Sequence, residues 1–154
     1  MDIQKELLMN LDSGDINSSK GLFHRIDDFE VFRDCILKYT WECRSVFVYT
    51  FLCSLLIDEE SADVHHLASE LFSGPFCYLK EGYQIALYHA RCAVVLRQSD
   101  VSFKEYLLLF NAIPEKLLTD EEALTIRHEI LKIDPDSKTV KHHFADNRFS
   151  GRID

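Results

Sequence analysis

A chain of 154 residues with 47% apolar and 12% aromatic residues, and only 5 Gly and 3 Pro, has the composition of a packed domain, which excludes the disordered and low-complexity classes. Its 17 Lys and Arg face 26 Asp and Glu, and a net charge of −9 repels phosphate backbones and anionic lipid, so neither direct nucleic-acid binding nor a membrane surface is expected. At this length a chain buries roughly 70% of its unfolded surface, enough for one self-sufficient fold.

The opening Met1-Asp2-Ile3-Gln4-Lys5-Glu6 has neither the basic cluster nor the apolar core of a signal peptide, and the expectation is a cytoplasmic protein. A short helix is predicted from about Asp2 to Leu11. Asp27 and Glu30 stand at capping-box spacing, and behind them Phe29, Phe32, Ile36 and Tyr39 recur at spacings of 3, 4 and 3, the stripe of an amphipathic helix. The longest apolar run, "SVFVYTFLCSLLI" at 45–57, falls short of the ~20 residues a membrane span needs and is expected as the most buried element. Its "VFVYTF" would suit a strand, but no second segment alternates to pair with it, so it is assigned to a helix.

Asp58-Glu59-Glu60 is predicted to open the next helix, with a stripe of Val64, Leu67, Ala68, Leu71 and Phe72 that ends at "SGP", 73–75. After Gly82 comes a helix with a large face, Ile85, Tyr88, Cys92, Val95 and Leu96, and a small face, Ala86, Ala90 and Ala93, that would let a neighbour approach closely. Ser102 with Glu105 and Thr119 with Glu122 are further capping boxes, separated by the break that Pro114 imposes. The last helix, 139–146, leaves 147–154 as a tail. The sum is an all-α fold, one domain over 1–146, of seven or eight short antiparallel helices packed as stacked hairpins.

Ala86-Leu87 and Ala123-Leu124 stand 37 residues apart, near the period of paired-helix solenoids. This part of the chain resembles the second helix and exit turn of tetratricopeptide repeats. Ala123 and Pro135 keep the repeat's 12-residue spacing with Ile130 in place of its middle small residue, while Ala86 and Ala93 match and Gln98 stands where Pro belongs. The stretch "LLLFNAIPEKLLTDEEA" is similar to segments of small helical immunity proteins encoded beside bacterial contact-dependent toxins. The first resemblance implies a groove that holds a peptide or regulatory partner; the second implies a domain that occludes a toxin.

Catalytic patterns are missing from the sequence. It has no G-x-S-x-G elbow, no glycine-rich phosphate loop, and no Glu-x-x-His pair of the kind that builds di-iron sites, so no enzyme activity and no cofactor are expected. Seven histidines include the pairs His65-His66 and His142-His143, but adjacent helical side chains point about 100° apart, and the pairings Asp63 with His66 and His142 with Asp146 supply two ligands each. Five cysteines, an odd number with no CxxC spacing, are expected as buried thiols and not as a disulfide or zinc framework.

Charge is the more informative feature. Many acids sit in predicted first turns, where they complement the helix dipole, but few bases balance them. An acidic compact domain attracts a basic partner and speeds its encounter. The expected contact residues are therefore Glu59, Glu60, Asp63, Asp120, Glu121 and Glu122, with Tyr78 and Tyr83 as aromatic anchors beside the "SGP" turn, and the expected partner is a basic protein such as a toxin domain. Self-association through an open apolar helix face is also compatible with the pattern.

Overall fold

The structure, a computed structural model, describes residues 2–145, and the expected tail at 147–154 lies outside them. Every regular element among the described residues is helical. The first helix, α1 (Ile3–Ser13), starts where the Asp2 carboxylate accepts the Gln4 N–H and stops at Gly14, whose φ of 76° belongs to the left-handed region that a residue without Cβ reaches at no steric cost. Asp15 then caps α2 (Ile16–Phe23). This tight turn is why the sequence pattern shows one N-terminal helix where the chain makes two.

Helix α3 (Phe29–Cys43) buries Phe32, Ile36 and Tyr39 as its stripe requires, but its cap is Asp28 and not Asp27, and Glu30 turns toward Arg33 instead of closing a box. The "VFVYTF" stretch is helical as expected, within α4 (Phe47–Asp58), and buries Val48, Phe51, Leu52 and Leu55. The most buried element is nevertheless α5 (Ala62–Ser73), in which eight of twelve residues are buried, against four of twelve in α4. Both α3 and α4 pack on α5, so two of its faces are covered. Across the α3 contact, Arg33 and Glu70 form a two-pronged ion pair with an Nε–Oε2 distance of 2.7 Å.

Ser61 caps α5, so the Asp58-Glu59-Glu60 run does not open that helix. Asp58 instead ends α4, where a carboxylate opposes the helix dipole, and Lys20 offsets it at 2.7 Å. At the far end of α5, a Cβ on Gly74 would stand 2.9 Å from the Glu70 backbone carbonyl, too close for any side chain, and at ordinary contact distance, 3.5 Å, from the Trp41 ring.

Helix α6 (Gly82–Leu96) buries its small face, with Ala86, Ala90 and Ala93 at most 1% exposed, and turns Tyr88, Val95 and Leu96 outward. The chain resolves into two compact units divided between His89 and Ala90, inside this helix, where the sequence pattern draws a single domain. The first unit centres on Phe32, Phe51, Leu67 and Phe76; the second centres on Leu108, Phe110, Leu118 and Ile130.

The second unit continues with α7 (Val101–Leu107) and α8 (Leu109–Ala112), joined at Leu108, which keeps right-handed helical angles. Counted as one bent helix they bring the helices among the described residues to nine, close to the expected seven or eight. Asp100, not Ser102, caps α7, and Glu105 accepts from Ser137 Oγ. The Pro114 break is held by Asn111, whose Nδ2 donates to the Leu118 carbonyl and to Asp120 Oδ1, each at 2.9 Å. Helix α9 (Asp120–Ile133) has the expected capping box, with both Thr119 and Glu122 engaged, and α10 (Lys138–Ala145) anchors through Val140. Thr119→Ala removes the cap of α9 and is expected to lower stability by about 1 kcal/mol in urea melts; an unchanged midpoint would show the box to be redundant with the packing of Ala123 and Ile130.

Candidate partner-binding surface

Two surface grooves share one chemistry. In the first unit, a cavity of about 180 Å³ opens between the ends of α2 and α4 and the start of α5. Phe23, Leu55 and Val64 supply apolar wall, and Asp58, Glu59, His24 and Ser61 supply the polar part. Glu59 is exposed; its backbone is extended, with φ −153°, and its N–H closes α4 on the Leu55 carbonyl at 2.9 Å. The neighbouring Asp58 is engaged by Lys20.

In the second unit, a cavity of about 310 Å³ is walled by Leu107, Leu118 and Ile126 and edged by Arg91, Glu121, Glu122 and Thr125. Arg91 reaches Glu122 at 2.8 Å. The Thr119 backbone N–H above all, helped by the Thr119 hydroxyl and Arg91, holds the Glu122 carboxyl below the usual carboxylate range, so it stays ionised with Arg91 balancing its charge. Glu121 is exposed, and Asp120 is taken up by Asn111 and Lys116.

The expected contact residues therefore divide. Glu59, Glu121 and Glu122 line grooves, and Tyr78 is 57% exposed. Glu60 leans on His65 at 3.3 Å, Asp63 and Tyr83 are half-buried, and Asp120 braces the Pro114 turn. Partners within their own units account structurally for Glu60, Asp120 and Glu122, which leaves Glu59 and Glu121 as exposed groove carboxylates.

The sequence pattern missed a polar chain inside the first unit. His65 and His89, 5% and 3% exposed, face each other with Nδ1 atoms 2.8 Å apart; Tyr49 OH lies 3.0 Å from His89 Nε2, and Glu60 lies beside His65 Nε2. A carboxylate only accepts, so His65 carries its proton on Nε2 and donates to Glu60. His65 Nδ1 is then an acceptor, His89 donates to it from Nδ1, and Tyr49 donates to His89 Nε2. One direction satisfies the whole chain with both rings neutral. Burial first, and then the neighbouring His65, push His89 down to about 4, while burial pushes the Tyr49 hydroxyl up to about 12 and keeps it a donor.

This arrangement is poor equipment for catalysis. Each ring nitrogen is already committed to a neighbour and both rings are closed to solvent, so the chain specifies a core contact between α5 and the first-unit part of α6. A sequence signal existed: His65 falls in register with Ser69 and Phe72, and His89 with Ala86, on buried faces. His66 turns away toward Glu70, as the 100° rule requires. Among the described residues no group of three or more His, Cys, Asp or Glu side chains could hold a metal ion, and no helix is long and apolar enough to cross a membrane. The cysteines depart from expectation: Cys43, the last residue of α3, and Cys77, in the turn after α5, are exposed, and the other three are half-buried.

Comparison with known families, with curated proteins and with solved structures finds no match to this chain.

Proposed function

We propose that this chain is a non-enzymatic protein-binding domain that takes a basic partner on its carboxylate-edged grooves, and most concretely a cytoplasmic immunity protein that neutralises a cognate bacterial toxin. The observation that carries this reading is the repeated pairing of apolar wall and acidic edge, Leu55 and Val64 with Glu59 in one groove, Leu118 and Ile126 with Glu121 and Glu122 in the other. Lys and Arg side chains have the complementary build, an apolar stem and a cationic head. The net charge of −9 adds long-range attraction for such a partner.

Affinity capture from the native cells at low and at high salt, followed by a toxicity-rescue assay of the captured protein, tests the reading. The expected result is one stoichiometric basic protein that is toxic alone and harmless when co-expressed with this chain. The double variant Glu59→Lys/Glu121→Lys, at two exposed positions, is expected to weaken that complex about tenfold or more, close to 1.4 kcal/mol, and to flatten its salt dependence. Wild-type affinity in the double variant would remove the grooves from the mechanism.

A further inference from the structure

On the surface of the first unit, Trp41, Arg44 and Tyr78 form a stack. The Arg44 guanidinium carbon lies 5.8 Å from the Trp41 ring centre and 5.3 Å from that of Tyr78, within cation–π range of both. The two rings are 52% and 57% exposed, so the most amphipathic side chains of this region face water.

The backbone beneath is unusual. Arg44 caps the C-terminus of α3 with φ 52°, a left-handed conformation in which Gly or Asn ordinarily stands and a larger side chain is strained. Gly74 lies against the same indole, at ordinary contact distance from its ring. Strain of this kind persists where the surrounding structure holds it, and it marks places where a side chain serves something other than stability.

Charge points to the occupant. Arg33, Arg91 and Arg97 each pair with a carboxylate, whereas Arg44, like Arg25 and Arg127, forms no ion pair with a carboxylate among the described residues, and of these three it is Arg44 that stands beside two exposed aromatic rings. A guanidinium within cation–π range of two rings retains its planar fork of donors, the group suited to two-pronged carboxylate binding. Trp, Tyr and Arg are also the residues that dominate interface energies when flanking groups exclude water.

We infer that the Trp41–Arg44–Tyr78 stack is a docking surface for a protein segment that presents a carboxylate beside an aromatic or branched aliphatic side chain. The carboxylate meets the guanidinium fork, and its apolar neighbour covers an open ring. This goes beyond the acid-edged grooves, whose chemistry has the opposite sign, and it stands or falls separately from them.

Trp41 is the sole tryptophan, so its emission reports on this surface alone. A random peptide library is selected on the full chain after depletion on the Arg44→Gly variant, and enriched peptides are titrated against Trp41 fluorescence. The surviving peptides are expected to share Asp or Glu next to an aromatic or aliphatic residue, to shift Trp41 emission, and to lose at least tenfold affinity when that acid becomes its amide. Arg44→Gly should lose the same tenfold while its urea midpoint stays at or above wild type, since glycine relieves the left-handed strain; that separates binding from folding.

No surviving peptide, survivors that are basic, or binding that leaves Trp41 emission or the acid-to-amide comparison unchanged would each overturn the assignment. Tighter, Arg44-dependent quenching of Trp41 by a single-stranded oligonucleotide would overturn it in favour of phosphate. The Glu59→Lys/Glu121→Lys chain is expected to bind the same peptides as wild type, so that failure of the groove reading leaves this result readable.

Discussion

Acid is expected to destabilise this protein by about 3 kcal/mol between pH 6.5 and pH 4 through His89 alone. His89 is 3% exposed and pushed down to about 4 by burial and by His65, whereas in the unfolded chain it titrates at its ordinary value of 6.5. Above pH 6.5 neither state binds this proton, and the contribution of the neutral buried ring is fully present. As pH falls, the unfolded chain takes up the proton first, so stability is lost, at a limiting slope of about 1.4 kcal/mol per pH unit, until the folded ring titrates near pH 4.

The groups facing the ring are His65, Tyr49 and Tyr88, with Glu60 reached through His65. A proton added to His89 goes to Nε2, where it sets an N–H against the Tyr49 O–H 3.0 Å away and charges a buried ring, whereas one added to His65 Nδ1 would set two N–H groups against each other across the 2.8 Å contact. Urea melts of wild type and His89→Gln at pH 7, 5.5 and 4.5 isolate the effect, since glutamine can receive from Tyr49 but does not titrate. The variant is expected to start less stable at pH 7 and to lose less on acidification. Parallel losses in the two proteins would mean that His89 is not the group responsible. Carboxylates held low in the fold, such as Asp15 and Asp100, act in the same direction but nearer pH 4, and they are common to both proteins.

Ala86→Leu is expected to cost about 3 kcal/mol, the upper part of the range for overpacking, whereas Val95→Ser on the same helix should change stability by no more than about 0.5 kcal/mol. Ala86 is 0% exposed, and its carbonyl accepts the Ser69 hydroxyl at 2.7 Å, which fixes the backbones of α5 and α6 close together at this point. A leucine there has no free volume and would break that hydrogen bond as it pushed the helices apart. Val95 is 69% exposed and has little contact to lose. Were the large face of α6 its core face, the order of the two effects would reverse, and the urea midpoints of the two variants decide between the arrangements.

That helix shows where sequence reasoning reaches its limit. Periodicity places Ile85, Tyr88, Cys92, Val95 and Leu96 on one stripe and the alanines on another, and both stripes are apolar. Hydropathy favours burying the larger one. The tertiary structure buries the smaller, because the Ser69 hydroxyl bond to the α6 backbone requires an approach that only alanine permits. In the same way the acidic run at 58–60 reads as a helix start by composition, yet Ser61 caps α5 and Lys20, distant in sequence, makes Asp58 tolerable at the end of α4.

The candidate surfaces were legible to a similar degree. Acidic excess pointed to Glu59, Glu121 and Glu122, and each lies at a groove. Charge could not separate the open Glu59 and Glu121 from Glu60, Asp120 and Glu122, whose oxygens are occupied by His65, by Asn111 and Lys116, and by Thr119 and Arg91. Tyr78, in the turn between α5 and α6, was expected at an interface, but Trp41 and Arg44 come from the end of α3, and Arg44 approaches Tyr78 only through the fold.

What the sequence by itself determined is the helical class, the capping box at Thr119, the break at Pro114 and the helical state of "VFVYTF", because each depends on residues within one or two turns of one another. Only the tertiary structure decided which face of α6 is core, that His65 and His89 share one proton-ordered contact, and that an arginine in a strained cap comes within cation–π range of two rings. Those outcomes join residues 17 to 34 positions apart, where the close approach of two backbones and the pairing of buried donors and acceptors override local preference.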